Sequence, residues 1–259
     1  MTSRVLTLTT FLLATMSLSA QQYKNLTSLA TFKVAPGKEG AFLEKAKAFV
    51  PVLDKLVDAG VVQAYGIDVD MLHAPGVNNV VFWADVADFT ALAKADDVID
   101  GFMKSNSSFV ADLFSMSDMS THADFVLRAW EEAHRAAPAG AMPVQDIDMV
   151  QVKPERMQEY LELFRKYNKP VLDKLVADGV IYGYGILTEA VHTMKPGFVW
   201  QVTTLPDLGA KDKVRAAFVQ SYKKLPDGER EMVDKVAFDM TEQGSHRDDL
   251  ATSVVFRQK

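Results

Sequence analysis

Residues 51–67 read PVLDKLVDAGVVQAYGI, and residues 170–186 read PVLDKLVADGVIYGYGI. Twelve of these 17 positions are identical at a constant offset of 119, whereas unrelated segments would share about one at ordinary residue frequencies. The match extends in both directions. Upstream, Val34-Ala35-Pro36 lines up with Val152-Lys153-Pro154, and Phe42-Leu43-Glu44 with Tyr160-Leu161-Glu162, after a one-residue shift. Downstream, His73 falls on His192, and FSMSDMSTHAD (114–124) lines up with FDMTEQGSHRD (238–248). That second match places His122 on His246 and Asp124 on Asp248. A chain that repeats itself this way reads as a duplication of one folding unit.

Each half shows the same order of elements. In the first, a strand over 26–35 ends at Pro36-Gly37, and a helix follows from about 38 to 59. Phe42, Leu43, Ala46, Phe49, Val50, Leu53, Leu56 and Val57 recur there at three- and four-residue steps. Gly60 closes that helix as a C-terminal cap, and Pro51 kinks it, as Pro170 does in the second half. Strands over 61–72 and 80–86 form a hairpin, a helical region spans 88–114, and a last strand covers 123–130. The second half predicts strands at 145–153, 180–191, 198–205 and 248–257, with helices at 155–178, 207–223 and 228–240. The Ala-, Pro- and Gly-rich stretch 131–143 reads as the connector.

The order β-α-β-β-α-β is the ferredoxin-like, or split-βαβ, unit. Two tandem copies, each with one helix-free sheet face, bury those faces against each other. With this element order, the Val34–Lys38 opening (V-x-P-G-K) and the Tyr-Gly-Ile second strand, the chain resembles the dimeric α+β-barrel superfamily, the antibiotic-biosynthesis-monooxygenase-like group. The resemblance covers about residues 24–257. It implies an α+β fold of two repeats, 24–130 and 144–257, packed sheet to sheet about a pseudo-twofold. It also implies oxygenase, isomerase or haem-handling relatives, and others with no known activity.

Of the 259 residues, 48% are hydrophobic and 24% charged, with a net charge of −6 and no cysteine. An acidic chain lacks the basic footprint that nucleic acid or an anionic membrane requires. Without cysteine there are no disulfides, thiolate metal sites or cysteine nucleophiles. Residues 1–20, MTSRVLTLTTFLLATMSLSA, carry Arg4, an apolar stretch and small residues at 17, 19 and 20. This is the layout of a signal peptide. The expectation is an exported protein, periplasmic or extracellular, with no membrane span after cleavage, working as a monomer or homodimer.

Four of the five histidines form repeat-related pairs, and the fifth, His134, falls in the predicted connector. On strand periodicity Tyr65, Ile67, Val69, Met71 and His73 share a face, as do Tyr184, Ile186, Thr188, Ala190 and His192. Tyr65 and Tyr184 are therefore candidates to line a ligand cavity. His122 shares a face with Asp124, and His246 with Asp248. In a sheet of order 4-1-3-2 the second and fourth strands are expected at opposite edges, running the same way, which separates His73 from His122. Across the halves those strands would pair antiparallel, bringing His73 to His246 and Asp248, and His192 to His122 and Asp124.

Two imidazoles and a carboxylate suit a divalent metal, serve as an acid–base pair with an orienting carboxylate, or simply cap loops. The catalytic candidates are His73, His192, His122 and His246. The ligand-binding candidates are Tyr65, Tyr184, Asp124 and Asp248, and the metal candidates are the four histidines with Asp124 and Asp248. Asp54 and Asp173 read as solvated helix positions, and Gly66 and Gly185 as a bulge or a close approach. The functional reading is a small-molecule-handling barrel with an apolar organic ligand, either an oxygenase- or isomerase-like enzyme or a non-catalytic binding or structural protein.

Overall fold

A computed structural model describes residues 25–72, 78–191 and 196–259; the signal peptide expected at 1–20 lies outside them. The first half contains β1 (Leu26–Phe32), α1 (Glu39–Ala46), α2 (Val50–Asp58), β2 (Val62–Asp70), β3 (Val80–Val86), α3 (Phe89–Ser105), α4 (Ser107–Phe114) and β4 (Ala123–His134). The second contains β5 (Val144–Gln151), α5 (Met157–Leu163), α6 (Lys169–Ala177), β6 (Gly183–Glu189), β7 (Phe198–Leu205), α7 (Gly209–Lys223), α8 (Asp227–Met240) and β8 (Arg247–Gln258).

Local chemistry sets these boundaries in parallel. Pro36-Gly37 makes a tight turn in which Lys38 N–H reaches the Ala35 carbonyl at 2.9 Å, with Gly37 at φ 78°. The predicted long helix is interrupted where the prolines fall. Pro51 opens α2 after a 3₁₀ turn at 47–49, and Pro170 opens α6 after a π-helical turn at 164–168. Gly60 (φ 71°) and Gly179 (φ 75°) then end α2 and α6. Val61 N–H bonds to the Leu56 carbonyl and Val180 N–H to that of Leu175, each at 2.9 Å. That is the glycine-terminated cap expected from the sequence.

Among the described residues, eight strands close into one barrel in the order β1-β3-β2-β8-β5-β7-β6-β4, every neighbouring pair antiparallel. Each half supplies a 4-1-3-2 sheet, and the seams are β2 with β8 and β6 with β4. Two expectations change. Within a half the second and fourth strands run in opposite directions, because each step across β3 and β1 reverses the chain. The pseudo-twofold therefore lies along the barrel axis, and equivalent residues sit at the same height. Residues 131–134, expected in the connector, extend β4 and pair with β6 from Glu131↔Ile186 to His134↔Gly183.

Strand alternation divides the side chains between two environments. One set lies under the helices: Tyr65 and Val62 with Leu56 and Leu92, and Tyr184 and Ile186 with Leu172 and Phe164. The other fills the lumen, where Leu127, Ala129, Leu187 and Trp200 pack with Leu29, Ile147, Met149 and Val202, a cluster that includes no helix residue.

Candidate functional site

His73 and His192 lie outside the described residues, so their expected encounters with the opposite half are not placed. The two other histidines are. His122 Nδ1–H donates to the Thr31 carbonyl at 2.9 Å, its ring stacks on Phe32 with centroids 4.5 Å apart, and Nε2 stands 3.4 Å from Asp124. This imidazole caps a strand end and packs against a phenylalanine cluster. His246 Nε2 lies 2.6 Å from Asp148 Oδ1 and 3.3 Å from Asp248 Oδ1, all three groups exposed. Hydrogen bonding to Asp148 raises the His246 pKa, so the imidazolium form is favoured.

Asp148 escaped the sequence reading because its register mate is Ala30: Asp148 faces Asp248 as Ala30 faces Asp124. The ligand atoms of Asp148, His246 and Asp248 fall within 4.8 Å of one another. One imidazole and two carboxylates can accept a divalent ion, but this is not the two-histidine, one-carboxylate set expected from the repeat.

Tyr65 and Tyr184 are each 1% exposed and lie on the helix side, not in the lumen. Their hydroxyls donate to Asp54 at 2.7 Å and to Asp173 at 2.6 Å. The expected ligand-lining tyrosines are thus core residues with satisfied hydroxyls, and the aspartates expected to be merely solvated are their acceptors. Burial, then the neighbouring carboxylate, raises both phenol pKa values.

The lumen holds an asymmetry between matching positions. Asp68 is buried, accepts from Ser253 Oγ at 2.6 Å and from Trp83 Nε1 at 2.7 Å, and burial pushes its pKa up to about 7. Its register mates across the barrel are Leu187, with Ala129 for Ser253 and Val202 for Trp83. Gly66, opposite Trp83, admits the indole: a Cβ there would lie 2.6 Å from it. That is the close approach the strand glycine signalled. Gly185 meets nothing nearer than 3.6 Å.

A second asymmetry lies between sheet and helices. In the first half this space is closed near the end of β1 by Phe32, whose ring lies 5.2–5.9 Å from those of Phe42, Phe82 and Phe114. In the second half Phe82 is matched by Gln201, and Phe238, the counterpart of Phe114, is exposed. A cleft of about 170 Å³ lies at the seam of β4 and β6, walled by Trp130, Met157 and Phe198, with Arg128, Thr188 and Glu189 as its polar groups. Thr188 Oγ1 accepts from Trp130 Nε1 at 2.8 Å and from Arg128 Nε at 3.3 Å, and the Arg128 guanidinium lies 5.1 Å from the Trp130 ring. Thr188 and Glu189 replace Val69 and Asp70 of the first half at the offset of 119. That departure from the repeat was the signal available in the sequence.

The closed eight-stranded barrel of two ferredoxin-like sheets defines a dimeric α+β-barrel fold. Solved structures agree in fold. A candidate monooxygenase of Fusobacterium nucleatum has TM-score 0.61 at 10% identity, covering 92% of this chain and 95% of that one. A candidate monooxygenase of Lactobacillus acidophilus has TM-score 0.59 at 13% identity, covering 91% and 96%. An anthrone oxidase-like protein has TM-score 0.52 at 13% identity, covering 92% and 94%. No protein-family model and no curated relative matches the sequence.

Proposed function

We propose that the chain is an exported barrel protein that takes a small aromatic molecule into the cleft at the β4–β6 seam and acts on it by proton transfer, in the manner of an oxygenase or isomerase. The observation that carries this reading is a cleft at the β4–β6 seam that sets a buried carboxylate, a guanidinium and a hydroxyl beside aromatic walls. Its volume is that of a single ring, since an engineered cavity of about 150 Å³ holds benzene. Apolar walls with a few convergent polar groups are the usual composition of a ligand site. Glu189, buried at the cleft wall, is positioned to take a proton from an acidic C–H or O–H, and Arg128 with the Thr188 hydroxyl to hold the resulting anion. The neighbour named anthrone oxidase-like suggests the substrate class, a ring ketone or phenol with such a proton. The leader at 1–20 supports export, and fusing it to a reporter tests that.

Hydroxylated and keto single-ring aromatics titrated by calorimetry are expected to bind at one site, about tenfold more weakly in Arg128→Met, as loss of one charge-assisted hydrogen bond implies. Glu189→Gln is expected to keep binding and to lose ligand C–H exchange with deuterated solvent. Binding unaffected by Arg128→Met, or a bound structure with the ring elsewhere, overturns the assignment. Binding without exchange in the unsubstituted protein makes the chain a non-catalytic binding protein.

A further inference from the structure

The opposite end of the lumen carries a second, smaller cleft of about 80 Å³. It opens where β1 and β2 begin and β3 and β4 end, so residues of both halves meet there around the pseudo-twofold. Mates at the same height nevertheless differ in chemistry. Trp83 stands across from Val202, Asp85 from Thr204, and Phe256 from Glu132. Trp83, Phe256 and Tyr182 line the cleft together with Asp85, and no lysine or arginine does so among the described residues. The Trp83 and Phe256 rings are 6.0 Å apart between centroids and inclined at 54°, which makes an open aromatic corner. Trp83 is held in that pose by its N–H bond to Asp68 and by the packing of its indole over Gly66.

Asp85 gives the corner its charge. Its carboxylate accepts from Thr27 Oγ1 at 2.6 Å. Glu132 adds a second carboxylate nearby, accepting from Asn25 Nδ2 at 2.5 Å and lying 3.4 Å from His134 Nε2. Burial raises the Asp85 pKa, with Thr27 and His134 lowering it and Glu132 raising it, so the carboxylate is poorly solvated and a neighbouring cation would favour its charged form. Aromatic side chains and a carboxylate lining one cleft attract a weakly hydrated organic cation through the ring quadrupoles and the charge together. The small volume limits the occupant to a headgroup.

We infer that this end of the barrel is a binding site for a methylated ammonium group, separate from the cleft at the β4–β6 seam. Choline is the probe, and 3,3-dimethyl-1-butanol, of the same shape without the charge, is its control. Calorimetry on the full mature chain is expected to show saturable choline binding, with the Trp83 indole N–H resonance shifting in step. Asp85→Asn preserves size and can still accept from Thr27; it is expected to weaken binding about tenfold. Phe256→Leu should weaken it too, while Arg128→Met leaves it unchanged, which separates this site from the proposed aromatic one. The inference is overturned if the neutral alcohol binds as tightly as choline. It is equally overturned if Asp85→Asn, melting like the parent, binds choline undiminished, or if no saturation is reached at about 10 mM.

Discussion

Asp68 sits in a sheet interior where its mate is Leu187, and two neutral donors are its partners among the described residues. Burial pushes the pKa of Asp68 and of Asp70 up to about 7, the latter also through Asp249, and that of Asp85 up to about 6. A carboxyl whose folded pKa is raised holds its proton in the native state after the unfolded chain has lost it. Stability is therefore full below the unfolded value near 4 and falls as pH climbs toward 7. Thermal midpoints are expected to be higher at pH 5 than at pH 8, with Asp68→Asn flattening the slope. A midpoint that rises steadily across that range contradicts the assignment. The His246 trio belongs to the same scale. As a charge network with the imidazolium between Asp148 and Asp248, it is expected to take up no metal in protein purified without chelator. Added zinc should then leave the melting temperature unchanged, and a zinc-dependent rise would restore the metal reading.

Strands β2 and β6 share a sequence, a cap and a tyrosine, and differ in what the lumen-facing positions admit. Gly66 is needed because Trp83 lies across it, whereas Gly185 has room. Gly66→Ala is expected to cost about 1–3 kcal/mol, since a methyl group 2.6 Å from an indole forces the ring or the strand to move. Gly185→Ala should be within about 0.5 kcal/mol of neutral, the lost chain entropy of alanine offsetting minor contacts. Urea denaturation of the two variants side by side checks this, and equal losses would mean that the indole does not dictate the glycine. The retained glycine pair alone gave no hint of the difference; the partner strand decides it.

At the scale of the molecule, each half offers one sheet whose inner face and two edges are satisfied only by the other half. Expressed alone, residues 144–259 carry the more apolar inner face, with Ile147, Met149, Leu187, Trp200 and Val202. Residues 25–134 would set Asp68 against Ala129 of a second copy and lose the Ser253 bond. The second half is expected to self-associate into a dimeric barrel on size exclusion. The first should do so poorly at pH 8 and better at pH 5, where its buried acids are protonated. Monomeric folding of either half would show that the seams are dispensable.

The repeat at 51–67 and 170–186, together with turn glycines and prolines, determined the element order, the helix ends and the sheet-to-sheet pairing, because these follow from local geometry and strand alternation. The same comparison drew attention to what the halves keep, the histidines and tyrosines, of which His122, Tyr65 and Tyr184 turn out to hold the fold together. The asymmetric sites arise where the halves diverge: Asp68 against Leu187, Trp83 against Val202, and Thr188-Glu189 against Val69-Asp70. Those differences were visible as substitutions. Only the closed barrel decides that Asp68 meets Ser253, 185 positions away, and that Arg128 and Trp130 meet Thr188 across a seam. Burial and partners across a seam are properties of the packed whole that no single strand encodes.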